Sequence, residues 1–352
     1  MQVLVQPGDG VAPLLAGIKG AQKSIEIVIF RFDERAIELA LEAAVRRGVF
    51  VHALIAYTNH GGEQNLRKLE ARLLASGVTV ARTSDDLTRY HAKLMIIDRR
   101  TLYLMTFNYT HLDIDHSRSF GVVIKSKLVV QEAVRLFEVD TTRQPYTPGL
   151  DHFIVSPANA RKQLSAFIKG AQKQLLIYDS KLTDWQIIRL LQGRDKAGVE
   201  VRVIGQLGKR GTNIKAVKLP KLRLHAQAII RDGHQVFLGS QSLRKTELDD
   251  RREVGLITRD PKVVKQLLAT FEADWSAGIP VKESPTEIKE MLLEPVAAVL
   301  KASVKEVVKG AVAEAMSEVP EVKEVKEVVK ETVKEAVKEA IKEAVKETEP
   351  AA

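Results

Sequence analysis

His91 and Lys93 stand one residue apart in the run His91-Ala-Lys-Leu-Met-Ile-Ile-Asp98, among residues that prefer burial. On an extended chain alternate side chains share a face, so His91, Lys93 and Met95 point one way and Ala92, Leu94 and Ile96 the other. Imidazole can attack or protonate near neutral pH, and an ammonium beside it can hold an anion. The pattern returns at His225-Ala-Gln-Ala-Ile-Ile-Arg-Asp232, 134 residues later. Two imidazoles suit phosphodiester cleavage, one attacking phosphorus while the other protonates the leaving oxygen. Charge then builds on the non-bridging oxygens, which Lys93 would meet with its cation and Thr106, Asn108, Ser240 and Ser242 with neutral donors.

The surrounding sequence is duplicated as well. Phe137-Glu-Val-Asp140 answers Phe271-Glu-Ala-Asp274, Gly121 answers Gly255, and Thr106 answers Ser240, all at the same offset. Ile18-Lys-Gly-Ala-Gln-Lys23 recurs as Ile168-Lys-Gly-Ala-Gln-Lys173 at an offset of 150, so the second copy is 16 residues shorter between these blocks and the first carries an extra element, placed at Glu63 to Ser76.

In each copy the histidine is preceded by helix, strand, helix and strand. Leu14 to Lys23 and Arg35 to Arg47 have helical spacing, and Ser24 to Phe30 and Val49 to Ala56 are β-branched runs. Asn159 to Lys173, Leu175 to Tyr178, Asp184 to Lys196 and Val199 to Ile204 repeat that order. Later strands and a closing helix (Val129 to Asp140; Pro261 to Trp275) complete each unit. The alternation predicts an α/β fold: two tandem α-β-α sandwich repeats with mixed sheets, related by a pseudo-twofold, with one site between them. The expected boundaries are 1–148, 149–280 and a tail over 281–352.

That tail is low in complexity. From Glu324 to Glu347 it approaches a four-residue Lys-Glu-Ala-Val repeat, whose period overshoots 3.6, so its apolar stripe winds around any helix it forms. A helical or disordered appendage is expected. The formal charge is +9, and residues from Glu283 onward carry about −5, leaving about +14 on residues 1–282. Such a body favours anionic partners, nucleic acid or acidic lipid. There are no cysteines, which excludes disulfides and thiolate catalysis. No apolar run is long enough to span a bilayer, and the first residues lack a signal-peptide pattern, so a cytoplasmic protein is expected, with peripheral membrane contact through the basic body or the tail.

The double motif resembles the phospholipase D superfamily, whose HxKxxxxD run is followed by a Gly-Ser-x-Asn-like turn. Here the elements read His91-Ala-Lys93 to Asp98 with Thr106-Phe-Asn108, and His225-Ala-Gln227 to Asp232 with Gly239-Ser240-Gln-Ser242. The resemblance spans roughly residues 1–280. It implies a shared cleft and a phosphohistidine intermediate resolved by water or an alcohol, with no metal or other cofactor. It also implies a phosphodiester substrate, a phospholipid by preference and nucleic acid as the alternative. Asp98 and Asp232 would bind phosphate, orient the site or hold neighbouring turns.

Three departures bear on activity. Gln227 stands in place of a lysine, a change that costs on the order of 2–4 kcal/mol of transition-state stabilisation in a partly dry site. Met105 replaces the first turn's glycine, and Ser242 the second turn's asparagine. The family's orienting glutamate, 28 residues after the histidine, is present as Glu253 for His225, whereas the first copy has Ser119. That carboxylate argues for His225 as nucleophile. Lys93 and the family's usual order argue for His91, with His225 as acid and base. A phosphate-binding module without turnover is the non-enzymatic alternative. His111, Asp113, Asp115 and His116 form a loose polar cluster that reads as solvated loop, and no metal is expected there.

Overall fold

A computed structural model describes residues 1–57, 63–208 and 214–281, and residues 1–281 form one unit. The tail, and with it what is expected of residues 282–352, lies outside the described residues. Most of residues 59–63 and 208–213, which the sequence places between strands and motifs and which are expected to line the entrance of the site, also lie outside them.

Two mixed sheets organise the unit. The first runs Gln2–Gln6, Ser117–Ile124, Thr101–Met105, Leu94–Ile97, Ser24–Ile29, Phe50–Ile55, Thr79–Arg82. The second runs Ile279–Pro280, Lys215–Lys218, Glu200–Leu207, Gln174–Leu182, Ala228–Arg231, Gln235–Gly239, Val254–Thr258, Phe153–Val155. In both, the strand before the first long crossover helix pairs in parallel with the strand after it, and with the histidine-motif strand antiparallel. The extra element of the first copy is the helix Glu63–Ala75.

Period-two alternation sorts the core into layers. Ile25, Ile27, Met95 and Ile97 pack outward against the first copy's helices, whereas Val28, Leu94 and Ile96 face a central layer. Leu175, Ile177 and Ile229 likewise face outward, and Leu176, Ala228 and Ile230 inward. The central layer also takes Val129 to Phe137 and Val263 to Phe271, on the closing helices Lys127–Thr141 and Pro261–Ser276. The two copies therefore share one hydrophobic core. Its alternation explains why motif residues at 92, 94 and 96 are apolar.

The Gly-to-Met change in the first copy has a packing reason. A Cβ on Gly239 would lie 2.5 Å from Gly255 Cα and 2.9 Å from the Val254 carbonyl, so that position admits only glycine. In the first copy the buried Met105 fills the space beside Gly121. The strands at Gln2–Gln6 and Phe153–Val155 and the short helices His111–Asp115 and Lys245–Asp249 were not expected from the sequence. Each is too brief to show a period.

Candidate active site

Each histidine is delivered to the other copy. Arg89–Tyr90 pairs in parallel with Arg251–Arg252, and the His91 backbone N–H donates to the Arg252 carbonyl at 2.8 Å. Arg223–Leu224 pairs with Ser117–Arg118, and the His225 N–H donates to the Arg118 carbonyl at 3.0 Å. The side chains repeat the exchange: Arg118 forms a bidentate pair with Asp274 at 2.7 and 2.9 Å, and Arg252 pairs with Asp140 at 3.0 Å. These are the aspartates of the duplicated Phe-Glu-x-Asp runs, so the duplication preserves a reciprocal clamp on the two histidine segments.

Because of that crossing, the Glu253 carboxylate faces His91 and not His225, to which the sequence assigned it. Its oxygens lie 2.9 and 3.0 Å from His91 Nδ1. Glu253 is fully buried, and burial pushes its carboxyl up to about 7, with Lys93 the strongest opposing influence. Lys93 is itself buried, donates to the His91 carbonyl at 2.6 Å, and is pushed down to about 7 by burial. His91 is held well below its ordinary range by burial first and by the nearby cations Lys93, Arg251, Arg89 and Arg31 next. The free imidazole is therefore neutral, its Nδ1 facing carboxylate, and its Nε2 is left for chemistry.

His225 finds a carboxylate six residues before Ser119, the first-copy counterpart of Glu253. Asp113, on the short helix His111–Asp115, places Oδ2 3.3 Å from His225 Nδ1, within ion-pair reach but out of line for a hydrogen bond. The Thr110 hydroxyl caps that helix and turns Asp113 inward, where Asn108 donates both its backbone N–H (2.9 Å) and its amide (2.7 Å) to Asp113 and Arg223 contacts it at 2.6 Å. Ser119, the counterpart of Glu253, donates to the Asp113 carbonyl at 3.2 Å. Burial pushes His225 down against the opposing pull of Asp113, with Lys93 and His91 adding to the downward shift. Both copies thus act on one electrostatic environment. Sequence reading placed Asp113 in a solvated loop; the signal that could have found it was the Thr110-to-Asp113 capping spacing.

The remaining candidates divide. The Thr106 hydroxyl donates to the His225 carbonyl at 3.1 Å, and that of Ser240 accepts from the Val254 N–H at 3.0 Å. Ser242 donates to the buried Asp179 at 2.6 Å, so its hydroxyl is engaged there. Gln227 sits where Lys93 sits in the first copy: the Gly239 N–H donates to its carbonyl at 3.2 Å as the Met105 N–H does to that of Lys93 at 3.1 Å. Gln227 is buried, as Lys93 is. Asp98 and Asp232 follow the strands Leu94–Ile97 and Ala228–Arg231, and each is seven residues from its histidine, about 23 Å along an extended chain. The Asp98 carboxylate accepts the N–H groups of Gln22, Lys23 and Ser24 at 2.6–3.1 Å, and Asp232 those of Gln172, Lys173 and Gln174 at 2.7–3.1 Å. They hold the two copies of the Lys-Gly-Ala-Gln-Lys turn.

Among the described residues, one group places three potential metal-ligand atoms within 4.8 Å of one another: Glu34, His111 and Asp115. Of the loose polar cluster, His111 and Asp115 join it and Asp113 does not. No helix among the described residues is long and apolar enough to cross a membrane.

A family model described as "Cardiolipin synthase, PLD-like domain" matches residues 14–141 and 164–275. The chain belongs to this PLD-like family. Among curated relatives, the polyphosphate kinase of Klebsiella pneumoniae is 24% identical over 295 residues, 75% of this PLD-like chain and 42% of that protein. The PLD-like chain therefore spans less than half the length of that relative. Among solved structures, polyphosphate kinase from Porphyromonas gingivalis superimposes with a TM-score of 0.65 at 21% identity, over 78% of this chain and 50% of that one. Phosphatidylserine synthase from Haemophilus influenzae Rd KW20 superimposes with a TM-score of 0.61 at 13% identity, over 85% and 93%. At those identities the two structures share the fold.

Proposed function

We propose that this chain cleaves or transfers a phosphodiester through a covalent phosphohistidine at His91. The observation that carries the reading is the contact of His91 at 2.9 Å with the fully buried Glu253, beside the buried Lys93. Glu253 accepts from Nδ1–H, so the Nε2 lone pair attacks phosphorus and a P–N bond forms as the bond to the leaving oxygen breaks. The carboxylate stabilises the positive charge arriving on the imidazole, and Lys93 meets the charge on the phosphoryl oxygens. His225 gives its proton to the leaving oxygen, then takes one from water or an alcohol that attacks phosphorus and frees His91. Burial and neighbouring cations disfavour protonated His225. An anionic substrate opposes those cations and, with Asp113, supplies the stabilisation that acid catalysis needs.

The family description supports a phospholipid as the diester. The curated relatives support a second reading, transfer at a phosphoanhydride of polyphosphate. Hydrolysis of bis(p-nitrophenyl) phosphate with a metal chelator, in the native chain and in His91→Ala and His225→Ala, tests the shared mechanism. Turnover that survives chelation and disappears in His91→Ala is the expected result; turnover retained in His91→Ala overturns it. Phosphatidylglycerol vesicles and polyphosphate, offered in parallel, then separate the two substrates, and deletion of 283–352 tests the tail's part in vesicle binding.

A further inference from the structure

We infer that the His91 side of the site holds a second phosphate, so that its ligand is a compound carrying at least two phosphate groups. The inference takes from the proposed function only the position of the reacting centre.

Phe30 is the hub of the arrangement. Its ring meets His91 edge-on, with centroids 4.5 Å apart. Arg31, Arg89 and Lys93 place their cationic centres 5.8, 5.4 and 5.6 Å from the same Phe30 centroid. Both guanidinium carbons therefore lie within about 10 Å of the His91 ring centre. Arg251 acts on the same groups and leaves its buried Nε without a hydrogen-bond partner.

The anions in reach are fewer than the cations. Glu253 is committed to His91, and Glu247 holds one end of Arg251 at 2.7 Å. Among the described residues neither Arg31 nor Arg89 forms an ion pair with a carboxylate, although Arg89 is half-buried. Burial and the charges of Arg251 and Arg31 push Arg89 below its ordinary range, so the cluster is assembled against its own repulsion. A bound anion relieves that repulsion. A single phosphodiester brings one negative charge, which Lys93 meets at the reacting phosphorus. Arg31 and Arg89 are then left for a further anionic group, and the planar guanidinium fork matches phosphate oxygens.

Titration calorimetry at fixed ionic strength tests this without requiring turnover. Tripolyphosphate and pyrophosphate are compared with inorganic phosphate and dimethyl phosphate, and phosphatidylcholine vesicles carrying a phosphoinositide bisphosphate with vesicles carrying phosphatidylinositol. The expected result is binding at least about tenfold tighter for the multiply phosphorylated member of one set, with that preference reduced about tenfold in Arg31→Gln and in Arg89→Gln, the size of one charge-assisted hydrogen bond. The set that responds identifies a soluble or a lipid source. Equal affinities within both sets, or a preference that persists in both variants, overturns the inference. Melting curves of the two variants confirm that the chain remains folded. Because binding is read directly, a chain silent toward bis(p-nitrophenyl) phosphate still decides the question.

Discussion

His91 Nδ1 and the Glu253 carboxylate meet at 2.9 Å although 162 residues separate them in sequence. Each copy of the duplication thus supplies one member of this pair. Replacing Glu253 by Gln keeps the shape and removes the charge that steadies a phosphorylated imidazole. Turnover of bis(p-nitrophenyl) phosphate is expected to fall about 10²- to 10³-fold, or about 3–4 kcal/mol of barrier, with the melting temperature little changed. A fall below tenfold would remove Glu253 from the mechanism.

Removing the acid and base spares the first step when the leaving group is activated. In His225→Ala, p-nitrophenol is expected to appear as a burst of about one equivalent, followed by slow turnover, with an acid-labile phosphoramidate accumulating on the peptide containing His91. Label found elsewhere would reassign the nucleophile.

Asp113 occupies the place beside His225 that Glu253 occupies beside His91. Asp113→Asn is expected to slow substrates with poor leaving groups by about 10²-fold and p-nitrophenyl substrates far less, because only the former need a proton donated. Adding Ser119→Glu restores a carboxylate at the pseudo-equivalent position and should recover at least part of the loss. Equal slowing of both substrate types, or no recovery, would make Asp113 a packing residue.

Lys93 sets a pH limit. Burial lowers its pKa from 10.5 to about 7, so the cation is present below that value and is lost as pH rises through it. The rate should therefore decline on the alkaline side of neutrality. Lys93→Arg, whose charge persists above pH 12, should be slower at its best but free of that alkaline decline. A native rate constant across pH 6 to 9 would contradict this.

Asp98 is placed to serve stability. Asp98→Asn weakens acceptance of three backbone N–H groups and should cost about 1–3 kcal/mol in chemical denaturation, with the per-molecule rate of the folded fraction retained. A large loss of rate at unchanged stability would return Asp98 to the site.

The sequence by itself determined the duplication, the alternating strands around both motifs, the two sandwich repeats and the matched positions of His91 with His225 and of Lys93 with Gln227. Period-two and helical spacing report which face of an element is buried, and those are local properties. The tertiary structure decided which carboxylate serves which histidine. That choice depends on Arg89–Tyr90 pairing with Arg251–Arg252 and Arg223–Leu224 with Ser117–Arg118, contacts between distant segments for which alternation is the same whichever copy is the partner. Asp113 escaped notice for a related reason. A five-residue helix shows too little periodicity to be read, and only its packed orientation turns the aspartate toward His225.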